Sequence, residues 1–299
     1  MHDHARPHAH HQGDSRRVLT LAVGITLGFA LVEVVAGWLS GSLALLSDAG
    51  HMVTDSTALA LAALAAWMAR RPPSARHTYG LGRLETLAAL FNALLMVALV
   101  SAVSAAAVKR LHAPPPVQGE IVIWVALAGL LVNLLVARLL MGGRDNINVR
   151  AALLHVMGDL LGSIAALVSG VVIRYTGWTA IDAILSLFIV LLILLSSLRL
   201  LREVVHTLLE GVPLHLELEQ VGRAMAGTEG VLSVHDLHIW SLSAETTALS
   251  AHVVVQRIDE WQAVLWRLRK LLSEHFGIEH VTLQPEPLET LVELRPPPK

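Results

Sequence analysis

Two short spacings carry the chemistry of this sequence. His51 and Asp55 stand four residues apart, and so do His155 and Asp159. On a helix that interval puts both side chains on one face, one turn apart. Two such helices facing each other present two imidazoles and two carboxylates to one point. That four-ligand set suits a tetrahedral divalent ion such as Zn²⁺. Asp48 lies three residues before His51, on nearly the same face. It reads as an entry-path or proton-relay charge or, more simply, as an acid favoured near a helix N-terminus. The chain has no cysteine, which excludes disulfides, thiolate metal sites, iron–sulfur clusters and thiol catalysis. It has 16 histidines.

These residues sit where charge is costly. Of 299 residues, 54% are hydrophobic and 15% charged, and the mean hydropathy is +0.60. A soluble chain carries about a quarter charged residues, so most of this chain belongs in a bilayer. Six apolar stretches, 18–39, 43–68, 84–108, 121–140, 151–174 and 180–200, approach or exceed the roughly 20 residues of a spanning helix. A carboxylate at mid-bilayer costs about 2.5–3.5 kcal/mol on insertion scales, so each needs a reason. One His/Asp pair is equally well read as polar glue between helices. Two copies in two apolar helices favour a metal site. A metal hydrolase fits poorly, because His-Glu-x-x-His is missing and a closed ligand set leaves no position for an activated water. Glu33, Asn92 and Asn133 are expected to make interhelical hydrogen bonds, and Asp182 to cap the sixth helix.

Orientation follows from Lys and Arg. With the N-terminus inside, twelve arginines, from Arg6 to Arg202, lie on the cytoplasmic side of the spans, against Lys109, Arg110 and Arg174 outside. Both termini are then cytoplasmic. No signal-peptide cleavage pattern follows the first span. The near-neutral balance, net charge -2, argues against a nucleic-acid partner.

Residues 1–17 hold His2, His4, His8, His10 and His11; their composition predicts disorder and weak chelation. After the membrane domain (18–205), residues 206–292 read as a small α+β domain of order αββαβ: a helix at 216–226, strands at 231–242 and 247–256, a helix capped by Asp259, and a strand at 280–286. Residues 293–299 are expected to be a disordered tail.

Leu46-Ser47-Asp48-Ala49-Gly50-His51-Met52-Val53-Thr54-Asp55 resembles the second-helix signature of the cation diffusion facilitators. Arg76-His77-Thr78-Tyr79-Gly80-Leu81-Gly82-Arg83-Leu84-Glu85, His155-Val156-Met157-Gly158-Asp159 and His235-Asp236-Leu237-His238-Ile239-Trp240 extend the resemblance over essentially the whole chain. The nearest branch is the zinc/cobalt/cadmium efflux type related to the vertebrate zinc transporters. The resemblance implies a homodimeric metal/proton antiporter, not an enzyme, in a bacterial inner membrane. Its six transmembrane helices would carry a ferredoxin-like, metallochaperone-like cytoplasmic domain. The transport ligands would be His51, Asp55, His155 and Asp159, the four that spacing reaches independently. In the tail, His235, His252 and Glu286 match positions that bind metal in relatives. The last strand here has Gln284 and Glu286 where some relatives have His then Asp. His238, His275, Glu279 and His280 are candidate supplements. A second loop site is not expected, because its positions read Ser74, His77 and Leu81; His77 then has a packing role, and Arg76 and Arg83 anchor at the membrane interface.

The expected function is export of Zn²⁺, with Co²⁺ or Cd²⁺, driven by protons moving inward. Metal binds neutral imidazole and ionised carboxylate, so metal and protons compete for the same groups. The competing classes are a membrane-anchored metal sensor and a channel. A mid-membrane ligand tetrad argues against the first, and tight binding against the second.

Overall fold

In a computed structural model, residues 9–141, 147–243 and 246–288 are described; for 9–20, 147–152, 154 and 155 the description stops at the backbone. The apolar stretches form six helices: α1 (Ala9–Ser40), α2 (Leu43–Ala69), α3 (Arg83–His112), α4 (Gly119–Met141), α5 (Ile147–Thr176) and α6 (Ala180–Leu208). Each contains a segment long and apolar enough to cross a membrane. Polarity is inside out. Leu31, Trp38, Trp124, Leu131 and Leu195 are exposed, while Glu33, Asp48, Asn133, Asp159 and Asp182 are buried. An apolar exterior around ionisable groups is stable only in lipid.

The expected spans lie inside these helices, but the ends run on. α1 begins at Ala9 and takes in residues 9–17, which composition had predicted to be disordered. Once the apolar span has nucleated a helix, each added residue costs only propagation, and Ala9, Gln12, Arg16 and Arg17 are good helix formers. His2, His4 and His8, and the tail at 293–299, lie outside the described residues.

The chain divides into two compact units. The first, residues 1–62 and 89–201, has α4 lying along α5. A Cβ on Gly119 would sit 2.8 Å from the Gly170 carbonyl oxygen, so only glycine permits that approach. Asn133 Nδ2 donates to Ser163 Oγ at 3.2 Å across the same pair, the interhelical bond expected of it. Asn92 Oδ1, Glu33 Oε2 and Asn133 Oδ1 are buried without a hydrogen-bond partner among the described residues.

The second unit joins residues 202–299 to 63–88, the end of α2, the connecting loop and the first turn of α3. The C-terminal part of this unit begins at Arg202, close to the expected boundary at 205. Arg83 donates from Nη2 to Glu210 Oε1 at 2.9 Å. Tyr79 meets His280 edge to face at 5.6 Å.

Within this unit the αββαβ order is as expected: α7 (Leu218–Ala226), β1 (Val231–Ser241), β2 (Thr247–Val255), α8 (Trp261–Phe276) and β3 (His280–Pro287). The sheet order is β1-β2-β3, with β1 and β2 antiparallel and β2 and β3 parallel. A parallel pair needs a crossover, which α8 supplies. Alternation along β2 sends Leu249, Ala251, Val253 and Val255 into a core with Val221 and Met225 of α7 and Val264, Leu268 and Leu272 of α8. Alternation puts His252 on the opposite face. Asp259 does not cap α8: a 3₁₀ turn at Ile258–Glu260 intervenes, and Asp259 accepts from Arg257 Nη2 at 2.6 Å.

Candidate metal site

α2 carries the first pair into the interior of the helical unit. Four residues apart, His51 Nε2 and Asp55 Oδ2 lie 3.6 Å from each other. Asp159 comes from α5, and its Oδ1 lies 3.8 Å from the same His51 nitrogen. His51 and Asp55 are 16% and 22% exposed, while Asp159 is buried at 2%. His155 falls on α5 one turn before Asp159; its side chain lies outside the described residues.

Asp48 corrects an expectation. It is the sixth residue of α2, past the first turn, where a dipole benefit has faded. It is 2% exposed and lines a cavity of about 200 Å³ with His51, Asp159, Gly162, Ile189 and Ser196. A Cβ on Gly162 would lie 2.9 Å from Asp48 Oδ1. Glycine at 162 therefore makes the space in which an α2 carboxylate rests against α5.

Asp182 corrects a second. It does not cap its own helix: its Oδ2 accepts the backbone N–H of Leu43 at 2.5 Å, so it caps α2. Local sequence cannot show this, because donor and acceptor are 139 positions apart.

A second cluster sits on the outer face of the sheet. His235 of β1 and His252 of β2 are cross-strand partners. Glu286 of β3 accepts from both, from His235 Nε2 at 2.8 Å and His252 Nδ1 at 2.7 Å. The three tail residues singled out from sequence are therefore together. The bond to Glu286 holds the His235 imidazole above its ordinary pKa. The bonds from His235, then His252, hold the Glu286 carboxyl below its own. Asp236 joins them, its Oδ2 3.7 Å from His235 Nδ1, and His235, Asp236 and His252 offer ligand atoms within 4.8 Å of one another. Sequence reasoning missed Asp236, because strict alternation sends it to the opposite face. A register shift between His235 and His238 and a left-handed backbone at Asp236, φ 48°, bring it back. Aspartate tolerates that conformation better than most residues. His238, His275, Glu279 and His280 are not among the potential ligand groups found among the described residues.

Six lipid-compatible helices around buried acids and an imidazole, joined to an α+β domain, describe a membrane transporter with a soluble appendage. Residues 19–209 match the cation efflux transmembrane domain and residues 213–288 the cation efflux protein cytoplasmic domain. The chain belongs to the cation efflux family. It is 45% identical over 288 residues to the zinc transporter ZitB of Escherichia coli (strain K12), covering 95% of this chain and 91% of that protein. It is 40% identical to the metal cation efflux system protein CzcD of Cupriavidus metallidurans, covering 93% and 89%. It is 37% identical to the cadmium, cobalt and zinc/H(+)-K(+) antiporter of Bacillus subtilis (strain 168), covering 93% and 91%.

Proposed function

We propose that this protein exports Zn²⁺, together with Co²⁺ or Cd²⁺, from the cytoplasm in exchange for protons. The ion is carried at His51, Asp55, His155 and Asp159, and the protein works as a homodimer with both termini cytoplasmic. The observation that carries this reading is the convergence of His51, Asp55 and Asp159 from two spanning helices, with donor atoms 3.6 and 3.8 Å apart. Donor atoms around a tetrahedral Zn²⁺ with bonds of about 2.0–2.2 Å lie about 3.3–3.6 Å apart, close to the spacing of these two pairs. The names of the relatives support zinc, cadmium and cobalt as cargo, and the Bacillus subtilis relative is named for exchange against H(+) and K(+). The excess of arginine on one side of the spans supports the orientation. The organisation that goes with this reading is a membrane domain at 18–205 and a cytoplasmic domain at 206–292. The tail cluster of His235, His252 and Glu286 is a second, regulatory zinc site.

The chemistry runs on competition. Metal takes neutral imidazole and ionised carboxylate. Open to the cytoplasm, the site loses protons and binds the ion. Open to the outside, it meets a higher proton activity. Protonating an imidazole there removes a ligand and adds a positive charge, which ejects the ion. No bond is made or broken in the cargo, so the protein transports and does not catalyse.

Zinc flux in proteoliposomes with an internal pH probe tests the reading. The wild-type chain should show saturable zinc movement coupled to opposite proton movement. Asp159→Ala should abolish flux while insertion and folding persist, and its thermal stability should hold or rise, because a buried charge has gone. Wild-type flux in this variant would reject the ligand assignment.

A further inference from the structure

Asp182 is 1% exposed, and the proposed cargo site does not use it. Its Oδ1 accepts from Ser42 Oγ at 2.6 Å and from Ser169 Oγ at 3.2 Å. Its Oδ2 accepts the Leu43 backbone N–H at 2.5 Å and lies 3.7 Å from Arg110 Nη1. Arg110 Nη1 in turn donates to the Gly41 carbonyl at 2.5 Å. One carboxylate on α6 thus gathers the start of α2, a hydroxyl of α5 and a cation near the end of α3. Ser42 and Ser169 are fully buried, so the carboxylate and its hydroxyl donors are shut off from solvent, while the Arg110 side chain is 25% exposed.

The cluster lies to one side of the cavity. At 1.5 Å per residue, Asp182 is about 10 Å along α6 from Ile189, and Leu43 is about 12 Å along α2 from His51. Under the orientation proposed above, this is the outer end.

We propose that Asp182 is a positioning residue for the transport cycle. Its carboxylate latches α6 and α3 to the α1–α2 turn and to α5, closes the outer end of the ion path, and fixes the start of the helix that carries His51 and Asp55. The inference rests on the transport reading. An ion leaves by this end only if the helices part there. A buried carboxylate stripped of its donors is unfavourable. Partial opening, which breaks some bonds and exposes none of the groups to water, is therefore disfavoured, and the end opens as a unit.

The absence of cysteine makes the test clean. Ile189 is 3% exposed and lines the cavity on α6. Ile189→Cys gives a single thiol, probed with a membrane-impermeant maleimide from the outer or the inner side of oriented membranes. Adding Asp182→Asn should raise outer-side labelling about tenfold, the effect expected from losing one charge-assisted hydrogen bond. Inner-side labelling should stay level or fall. Zinc turnover should drop while half-saturation moves less than about twofold, and Asp182→Glu should restore part of both signals. Unchanged outer-side labelling, or equal rises on both sides, would overturn the latch. Where Asp182→Asn does not insert, Ser42→Ala and Ser169→Ala each remove one donor. A rise in outer-side labelling in either supports the latch, and unchanged labelling in both rejects it. Labelling needs no flux. Missing zinc flux in the wild-type chain would reject the transport reading and with it the role in the cycle, whereas unchanged labelling beside normal wild-type flux would reject the latch alone.

Discussion

In the proposed ligand set, the imidazole at position 51 supplies a nitrogen donor that binds metal only when neutral. His51→Asp keeps a donor there but adds charge and a potentially bidentate oxygen. A larger ion gains from that, and zinc loses a preferred ligand. Competitive flux should move from Zn²⁺ toward Cd²⁺, and the steepest part of the pH profile should flatten or shift lower. An unchanged ratio with an unchanged profile would remove His51 from the ligand set. In the tail, the raised pKa of His235 comes first from its bond to Glu286. The stabilisation from a raised histidine is complete below its unfolded value, about 6.5, and is lost as pH rises through the folded value. The stabilisation from the lowered Glu286 is present above the ordinary carboxylate pKa and lost as pH falls through its folded value. The two overlap in mildly acidic solution. The His235 ring resonance in zinc-free protein should therefore titrate above about 6.5 and return toward it in Glu286→Gln. A midpoint indifferent to that change would discount the contact. At this scale the four-residue spacings were legible because helical geometry is periodic. Asp236 was not, since a bulge breaks the periodicity. Nor was the partner of Asp182, since it lies on another helix.

Elements were the most legible level. Each spanning helix announces itself by an apolar run too long for a strand, and the alternation in β2 shows in its sequence. Ends were less so. α1 begins at Ala9, ahead of the apolar segment that starts at Val18. Removing residues 1–14 trims the first turns and leaves that segment whole. Maximal zinc flux should stay nearly unchanged, with at most a change in half-saturation. An inactive truncation that expresses and inserts normally would show that the histidine-rich start does more than chelate. The close contact of α4 and α5 through Gly119 and Gly170 was not foreseen, because a glycine in an apolar helix carries no mark of what approaches it.

At the scale of the whole chain, the two proposed zinc sites make a countable prediction. In full-length Asp159→Ala, zinc retained under calorimetry should belong to the tail, and adding His235→Ala and His252→Ala should remove or strongly weaken it. Equal binding with and without the two histidines would reject the tail site. The grouping of residues 63–88 with the C-terminal domain escaped the linear reading, because a discontinuous unit leaves no boundary in composition. The Asp182 cluster has a further consequence for biogenesis. Chains are made from the N-terminus, so α2 enters the bilayer long before α6 exists. Until then the Leu43 N–H and the Ser42 and Ser169 hydroxyls lack the acceptor that serves them in the finished bundle. The last spanning helix delivers that acceptor. Assembly is therefore keyed to completion: a chain truncated or stalled before residue 182 presents unanswered donors within the membrane, a chemical mark that distinguishes an unfinished product from a finished one.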